Sequence, residues 1–220
     1  MIRKVSLEEI SDGRLYGLND MVKADCGGCE GCSACCRGMG SSIVLDPSDV
    51  WRLAVHLGRG FESLLADCLE LNVVDGIILP NLKMAGEEEA CAFLDSSGRC
   101  RIHSFRPGIC RLFPLGRFYE NRSFQYFLQV HECEKENRTK IKVRKWIDMP
   151  DLKRNEQFVS DWHYFLKDLQ EKLAAETEDG LAKQVSMYVL NTFYMTPFDG
   201  ERDWYEQFDA RLRAAQALFT

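Results

Sequence analysis

The sequence predicts an α+β protein. A small cysteine-cluster domain of short helices and β-hairpins occupies residues 1–148, and a helical C-terminal layer over 149–220 packs on it. Three observations carry that expectation. Residues 76–130 hold short apolar runs broken by turn signals, and Phe124, Tyr126, Leu128 and Val130 alternate with the period of a half-buried strand. From about residue 150 the period becomes helical. All ten cysteines precede that change, five of them within residues 26–36.

Taken in order, Val5, Leu7, Ile10, Leu15, Leu18 and Met21, interrupted by Gly13 and Gly17, predict a short weak helix over 5–22. After the cysteine loop, Ser42-Ile43-Val44-Leu45 reads as a brief strand. A helix starts next, with Asp46 as cap, Pro47 in the first turn and Asp49 at the positive end. Val50, Leu53, Ala54 and Leu57 form its apolar face and Gly58 stops it. Phe61, Leu64, Leu65, Cys68 and Leu69 form the stripe of a second helix, where Cys68 reads as a small buried hydrophobe.

Pro80, between Ile77-Ile78-Leu79 and Leu82-Lys83-Met84, marks an edge or bent strand. Glu87-Glu88-Glu89 reads as a solvated loop. Cys91–Leu94 and Arg99–Ile102, joined by Asp95-Ser96-Ser97-Gly98, read as a hairpin that brings Cys91 near Cys100. A second hairpin turns at Glu120-Asn121-Arg122. Three helical stripes follow: Phe158 to Leu173, Leu181 to Val189, and Trp204 to Phe219, separated by Asp179-Gly180 and by Pro197-Phe198-Asp199-Gly200.

The whole-chain numbers bound the partners. The chain has 220 residues, 45% of them hydrophobic, which is enough for a real core. A net charge of −6 and a pI of about 5.4 argue against general binding to nucleic acid or to an anionic membrane. The first ten residues hold no apolar run long enough for a signal peptide. No segment approaches the roughly 20 apolar residues of a membrane span. The expected compartment is cytoplasmic, where thiols stay reduced and a cysteine cluster signals metal rather than disulfides.

The chemistry concentrates in Cys26-Gly27-Gly28-Cys29-Glu30-Gly31-Cys32-Ser33-Ala34-Cys35-Cys36-Arg37. Cysteines this close do not readily cross-link to one another, because a disulfide demands a particular Cα separation and torsion. Repeated C-x-x-C with intervening glycines lets the backbone curl and aims successive sulfurs at one centre, as zinc or an iron–sulfur cluster requires. Cys26, Cys29, Cys32 and Cys36 also follow the ferredoxin-like C-x2-C-x2-C-x3-C spacing, with Arg37 where proline is usual. A rival grouping takes two ligands from this loop and two from the Cys91–Cys100 hairpin. Two centres, or one cluster with cysteines spare, satisfy the count equally.

The later cysteines lie in Cys91-Ala92-Phe93-Leu94, Cys100-Arg101-Ile102, Arg106-Pro107-Gly108-Ile109-Cys110-Arg111-Leu112-Phe113-Pro114 and His131-Glu132-Cys133. With Cys29-x-x-Cys32-x-x-Cys35-Cys36 ahead of them, this set resembles the CxxCxxCC, or YkgJ-like, cysteine-cluster family of zinc- or iron-chelating domains. Flagellin lysine N-methylases, which carry an iron–sulfur cluster, are similar to that family. The resemblance covers roughly residues 25–135, with Cys26 ahead of the family pattern and His103 where relatives usually have tyrosine. It implies that Cys29, Cys32, Cys35, Cys36, Cys91, Cys100, Cys110 and Cys133 are the metal ligands, that the metal is zinc or an iron–sulfur cluster of the [4Fe–4S] kind, and that S-adenosylmethionine is a candidate second cofactor.

Charge adds an argument. A centre of four thiolates is net negative and its burial needs compensation. Every Lys/Arg position between 99 and 122 is arginine, which tolerates partial burial and offers a fork of donors. Arg37, Arg106 and Arg111 are the candidate donors to sulfur. His131 reads as a surface histidine, His56 and His163 as helix residues, and Lys135–Lys145 as a solvated strand face.

Three functions fit: a metal-binding protein with a structural or metal-handling centre, a methylase acting on the lysine of a protein substrate, and an electron-transfer module. The chain has no G-x-G-x-x-G, and Met39 breaks the C-x3-C-x2-C run of radical S-adenosylmethionine enzymes. The methylase therefore rests on resemblance alone.

Overall fold

The computed structural model describes residues 6–27, 29, 32–135, 137–175 and 180–219. The N-terminal segment opens with a single helical turn, α1 (Leu7–Ile10), capped by the Ser6 hydroxyl. It then turns into strands β1 (Ser11–Tyr16) and β2 (Met21–Asp25). The helix expected over 5–22 is thus corrected to one turn and two strands; Val5 itself lies outside the described residues. The reason is remote. β1 finds a ladder partner far along the chain (Ser11 opposite Gln129, Tyr16 opposite Tyr126), and Gly13 takes a left-handed φ of 72° that breaks a helix.

The capping expectation holds. α2 (Pro47–Leu57) starts with a reciprocal box: the Asp49 amide donates to Asp46 Oδ1 at 2.8 Å and the Asp46 amide to Asp49 Oδ2 at 3.3 Å. Gly58, at φ 63°, ends it in the left-handed region. α3 (Phe61–Asp67) is shorter than expected, because Leu69 opens strand β3 (Leu69–Val74) instead of closing the helix. β3 pairs in antiparallel register with β4 (Ile77–Leu82) around the Asp75-Gly76 turn, which places Pro80 in a two-stranded ribbon, as its missing donor requires. The strand expected at Ser42–Leu45 runs beside β4 with one bridge, Val44 to Asn81.

Next come the two-residue strands β5 (Met84–Ala85) and β6 (Ala90–Cys91). The expected Cys91–Ile102 hairpin shrinks to a single bridge, Leu94 to Cys100, closed by a turn in which Asp95 Oδ1 accepts from the amides of Ser97 and Arg99. A short helix, α4 (Gly108–Leu112), presents Cys110. β7 (Leu115–Glu120) and β8 (Ser123–Gln129) form the second hairpin. Asn121 and Arg122 are both left-handed (φ 51° and 56°), the signature of a tight two-residue loop. These strands join β1 in a sheet of order β1-β8-β7.

β9 (Thr139–Lys142) pairs with β2 and leads into α5 (Val143–Ile147), so of the basic face expected at Lys135–Lys145 only Thr139–Lys142 is strand; a connection precedes it and a helix follows. The helical third follows as α6 (Leu152–Ala175), α7 (Leu181–Leu190) with a π-helical turn at Asn191–Met195, and α8 (Trp204–Phe219). Asp179, half of one expected break, lies outside the described residues. No helix among the described residues is long and apolar enough to cross a membrane.

Burial defines two hydrophobic cores. The larger joins Ile43, Leu45, α2, α3, β3 and β4 to α6, α7 and α8. At its centre Phe208 packs edge-on to Phe158 (ring centroids 4.7 Å) and stacks on Trp204. The smaller core gathers Tyr16, Val22, Ala24, Leu112, Leu115, Tyr126, Leu128, Val143 and Ile147. Phe208→Ala is expected to cost about 3–5 kcal/mol through the cavity it leaves. Val73→Ala, at a position 70% exposed, is expected to stay within about 0.5 kcal/mol of the parent. Urea denaturation of both variants checks this.

Candidate metal centre

The cysteine loop leaves β2 and curls at once. Gly27 (φ 70°) and Cys29 (φ 60°) are both left-handed, which turns the backbone back on itself. The Cys26 and Cys29 sulfurs lie 3.3 Å apart. The amide of Cys32 then donates to the Cys29 carbonyl, and that of Cys36 to the Ser33 carbonyl, which closes a short 3-10 turn at Ala34–Cys36. Gly28, Glu30 and Gly31 lie outside the described residues.

Between the two cores is a cavity of about 660 Å³. Cys29, Cys32, Cys35 and Cys36 from the loop line it, together with Cys91 beyond β5, Cys100 after the turn and Cys110 on α4. Cys133 faces a much smaller space, about 30 Å³, that it shares with Cys26, Cys29, Cys32 and Cys35. Every cysteine expected as a ligand therefore faces one of two neighbouring spaces. Cys68 faces neither: it is 5% exposed in the larger core, with Arg59 Nη1 3.5 Å from its sulfur. All ten thiols are free.

This donor set fits a thiophilic metal, since reduced sulfurs from separate segments converge on one region. The set is gathered rather than closed. Among the described residues no three His, Cys, Asp or Glu side chains stand at coordination distance from one point.

Electrostatics explains why crowded thiols favour a cation. Burial pushes the Cys91, Cys100 and Cys110 thiols up, and nearby thiols push them further. Cys29 rises to about 12, through burial and then its hydrogen bond with Cys26. Cys36 rises through its hydrogen bond with Cys35 and burial, whereas Cys35 falls to about 7, held down by that same bond and by Arg106. One thiolate forms readily there and further ones repel it; a bound cation removes that repulsion, so metal binding and thiol ionisation are coupled.

Of the three arginines expected to face sulfur, Arg106 is the one placed among them. Its charge lowers Cys29, Cys35 and Cys100, and its buried Nε has no hydrogen-bond partner. Arg37 pairs instead with Glu88, in the acidic run expected to be solvated, and reaches Ser33 Oγ at 3.4 Å. Arg111 is buried and donates to the backbone carbonyls of Asp148 (3.0 Å) and Ser104; burial brings its pKa down to about 10. Neither has a hydrogen bond to sulfur, because backbone carbonyls and a carboxylate supply their acceptors. His103 lines the large cavity and bonds to Arg106, and His131 is exposed. His56 stacks on Phe105 and His163 on Tyr119.

Sequence reasoning missed four contributors. Arg99 Nη1 donates to the Cys29 carbonyl at 3.4 Å and ties the Asp95–Gly98 turn to the loop. Asp49, read only as a helix residue, also accepts from the Gly108 amide at 2.7 Å and so fixes the start of α4 and the position of Cys110. Asp46 and Arg117 line the far part of the cavity without forming an ion pair. The capping motif was the available signal for Asp46 and Asp49; nothing local announced the second partner.

A family model for CxxCxxCC, described as "Putative zinc- or iron-chelating domain", matches residues 28–145. No curated protein and no solved structure matches the chain.

Burial, and then the neighbouring Asp49, pushes Asp46 up to about 8 from an ordinary 3.8. A raised carboxyl pKa stabilises the fold fully below the ordinary value and loses that contribution as pH rises through the folded one. Stability is therefore expected to fall between about pH 4 and about pH 8. Asp46→Asn keeps the capping oxygen and is expected to flatten that slope. Urea midpoints of parent and variant across this range test it.

Proposed function

The chain belongs to the CxxCxxCC family and is a metal-binding protein of that class. From this premise we propose that its resident metal group is an iron–sulfur cluster, with zinc as the alternative occupant, held by thiols of the loop together with Cys91, Cys100 and Cys110. The observation that carries the reading is the convergence of seven thiols, from four separate segments, on one cavity. Its volume of about 660 Å³ exceeds the need of a single ion and favours the cluster. So does the unpaired Nε of Arg106, a donor of the kind that tunes cluster sulfurs. When bound, a cluster supplies one-electron chemistry and zinc supplies a structural cross-link or Lewis acidity. The chain's own part is to hold the loop through Arg99, to hold α4 through Asp49 and to offset negative charge through Arg106. Ten free thiols suit a reducing, cytoplasmic setting.

A second reading, methyl transfer from S-adenosylmethionine to the lysine of a protein substrate, draws on one observation. Beyond the cysteines the cavity continues between Leu79, Val159, Trp162 and Leu166, with Asp46 and Arg117 facing it, and this space admits an organic molecule. Saturating S-adenosylmethionine should then raise the thermal midpoint of the metal-loaded protein, because a ligand of the native state stabilises it; an unchanged midpoint discards this reading.

Protein purified without oxygen is expected to be brown and to contain iron and sulfide, whereas colourless protein with stoichiometric zinc selects the alternative. Cys110→Ser should lower both metal content and thermal midpoint, because metal binding and folding are coupled. Cys68→Ala should leave metal content unchanged; an emptied site in that variant would overturn the ligand assignment.

A further inference from the structure

Behind the thiols the large cavity has a second lining of different chemistry. From α6 come Val159, Trp162 and Leu166, whose spacing of three and four makes one stripe of the helix. Arg117 and Tyr119 also line it; they stand two apart on β7 and so share a face of that strand. Asp46, the cap of α2, belongs to the same wall.

Arg117 sets the character of this part. Its guanidinium lies deep in the protein, and the residue retains accessible surface where it lines the cavity. A buried cation calls for an anion. Among the described residues Arg117 forms no ion pair, and its Nε has no hydrogen-bond partner. Its polar neighbour is the Tyr119 hydroxyl, which burial keeps a neutral phenol, and Phe124 offers only a ring face 5.5 Å away. The two carboxyls whose charge reaches it are bonded elsewhere. Asp46 accepts from the Asp49 amide at 2.8 Å, and Glu156 accepts from the Tyr126 hydroxyl at 2.9 Å. Burial pushes both carboxyls up, which weakens them as counter-charges. Arg117 is not the counter-charge of the thiols either. Arg106 acts on those, whereas Arg117 acts on Asp46, Tyr119 and His163.

We propose that this part of the cavity binds a small organic monocarboxylate with an apolar body, its carboxylate on the Arg117 guanidinium and its body against Val159, Trp162 and Leu166. A planar guanidinium receives a carboxylate through parallel N–H bonds. The cavity volume of about 660 Å³ suits a small molecule. Asp46 and Asp49 on the same wall disfavour a dianion such as a phosphate ester. Lys167, exposed on α6, adds a second positive charge to the lining. The site requires neither a particular metal nor methyl transfer.

Calorimetric titration of the full-length protein, purified without oxygen, with octanoate and with 1-octanol tests this. Octanoate should saturate one site and raise the thermal midpoint. Octanol, which lacks the charge, should bind about tenfold more weakly or worse. Arg117→Met should weaken octanoate about ten- to a hundredfold. Should that variant fail to fold, Arg117→Lys, which keeps the charge without the fork, should still weaken octanoate several-fold. Leu166→Trp, which fills the apolar end, should weaken both probes. Arg122→Met, at an exposed arginine paired with Asp168 on the same hairpin, should bind octanoate as the parent does. No octanoate binding by the parent at millimolar concentration, equal affinity for octanol, or parental octanoate affinity in a folded Arg117 variant overturns the site. Metal content is measured on each sample: parental metal without octanoate binding leaves the metal-binding reading standing, and octanoate binding by a parent that holds no metal overturns that reading alone.

Discussion

The structure depends on one electrostatic constraint: many thiols are held where few can ionise together. Seven sulfurs face a cavity between two hydrophobic cores, and burial raises most of their pKa values. Cys35 stands apart: its hydrogen bond with Cys36 and the Arg106 charge bring it down to about 7. A cation among them would offset the mutual repulsion of ionised sulfurs. The fold serves this condition by drawing each segment in from a different direction. The loop leaves β2, Cys91 ends the two-residue strand β6, Cys100 follows a tight turn, and Cys110 rides on α4.

The cap of α2 has an unusual reach. In most helices a capping carboxylate satisfies amides of its own first turn and nothing else. Here Asp49 accepts from the Asp46 amide and also from Gly108, some sixty residues away. That second bond fastens the Arg106-Pro107-Gly108 segment, and with it Cys110 and Arg106, to a helix rooted in the larger core. The buried hydroxyl of Tyr194 donates to the Leu45 carbonyl at 2.9 Å, so the turn after α7 grips the chain just ahead of the same cap. The carboxylate environment is costly, since burial pushes both Asp46 and Asp49 up and the Asp49 charge pushes Asp46 further. It lies at the junction between helical core and cysteine region.

What was legible in the sequence was what local chemistry decides. The Asp46–Asp49 cap, the Gly58 stop, the Asn121-Arg122 turn and the helical stripes of α6 and α8 all follow from residues within a few positions of one another. What was not legible depends on partners remote in the chain. Residues 11–16 carry helix-compatible spacing, yet they form a strand because β8 offers an edge more than a hundred residues later. Leu69 continues a helical stripe, yet it opens a strand because β4 returns against it. The arginines follow the same rule: their composition announced buried positive charge, but whether a guanidinium meets sulfur or a carbonyl depends on which backbone passes nearby. Arg111 meets Ser104 and Asp148, while Arg106 bonds to His103 and its charge acts on thiols.

The cavity is the limiting case of that rule. A cysteine motif names atoms that point inward, but the space they enclose is set by what does not fill it, and no residue type encodes a void. The C-x-x-C repeat treats its thiols as equivalent; the two spaces they line differ in volume more than twenty-fold. Sulfurs three residues apart can therefore face different volumes, and Cys29, Cys32 and Cys35 line both. Ligand spacing fixes which metals are chemically admissible, whereas the packing of Trp146, Phe113 and Trp162 around the sulfurs fixes how many atoms each position can hold. Nuclearity is a property of the surrounding core, and the motif alone does not contain it.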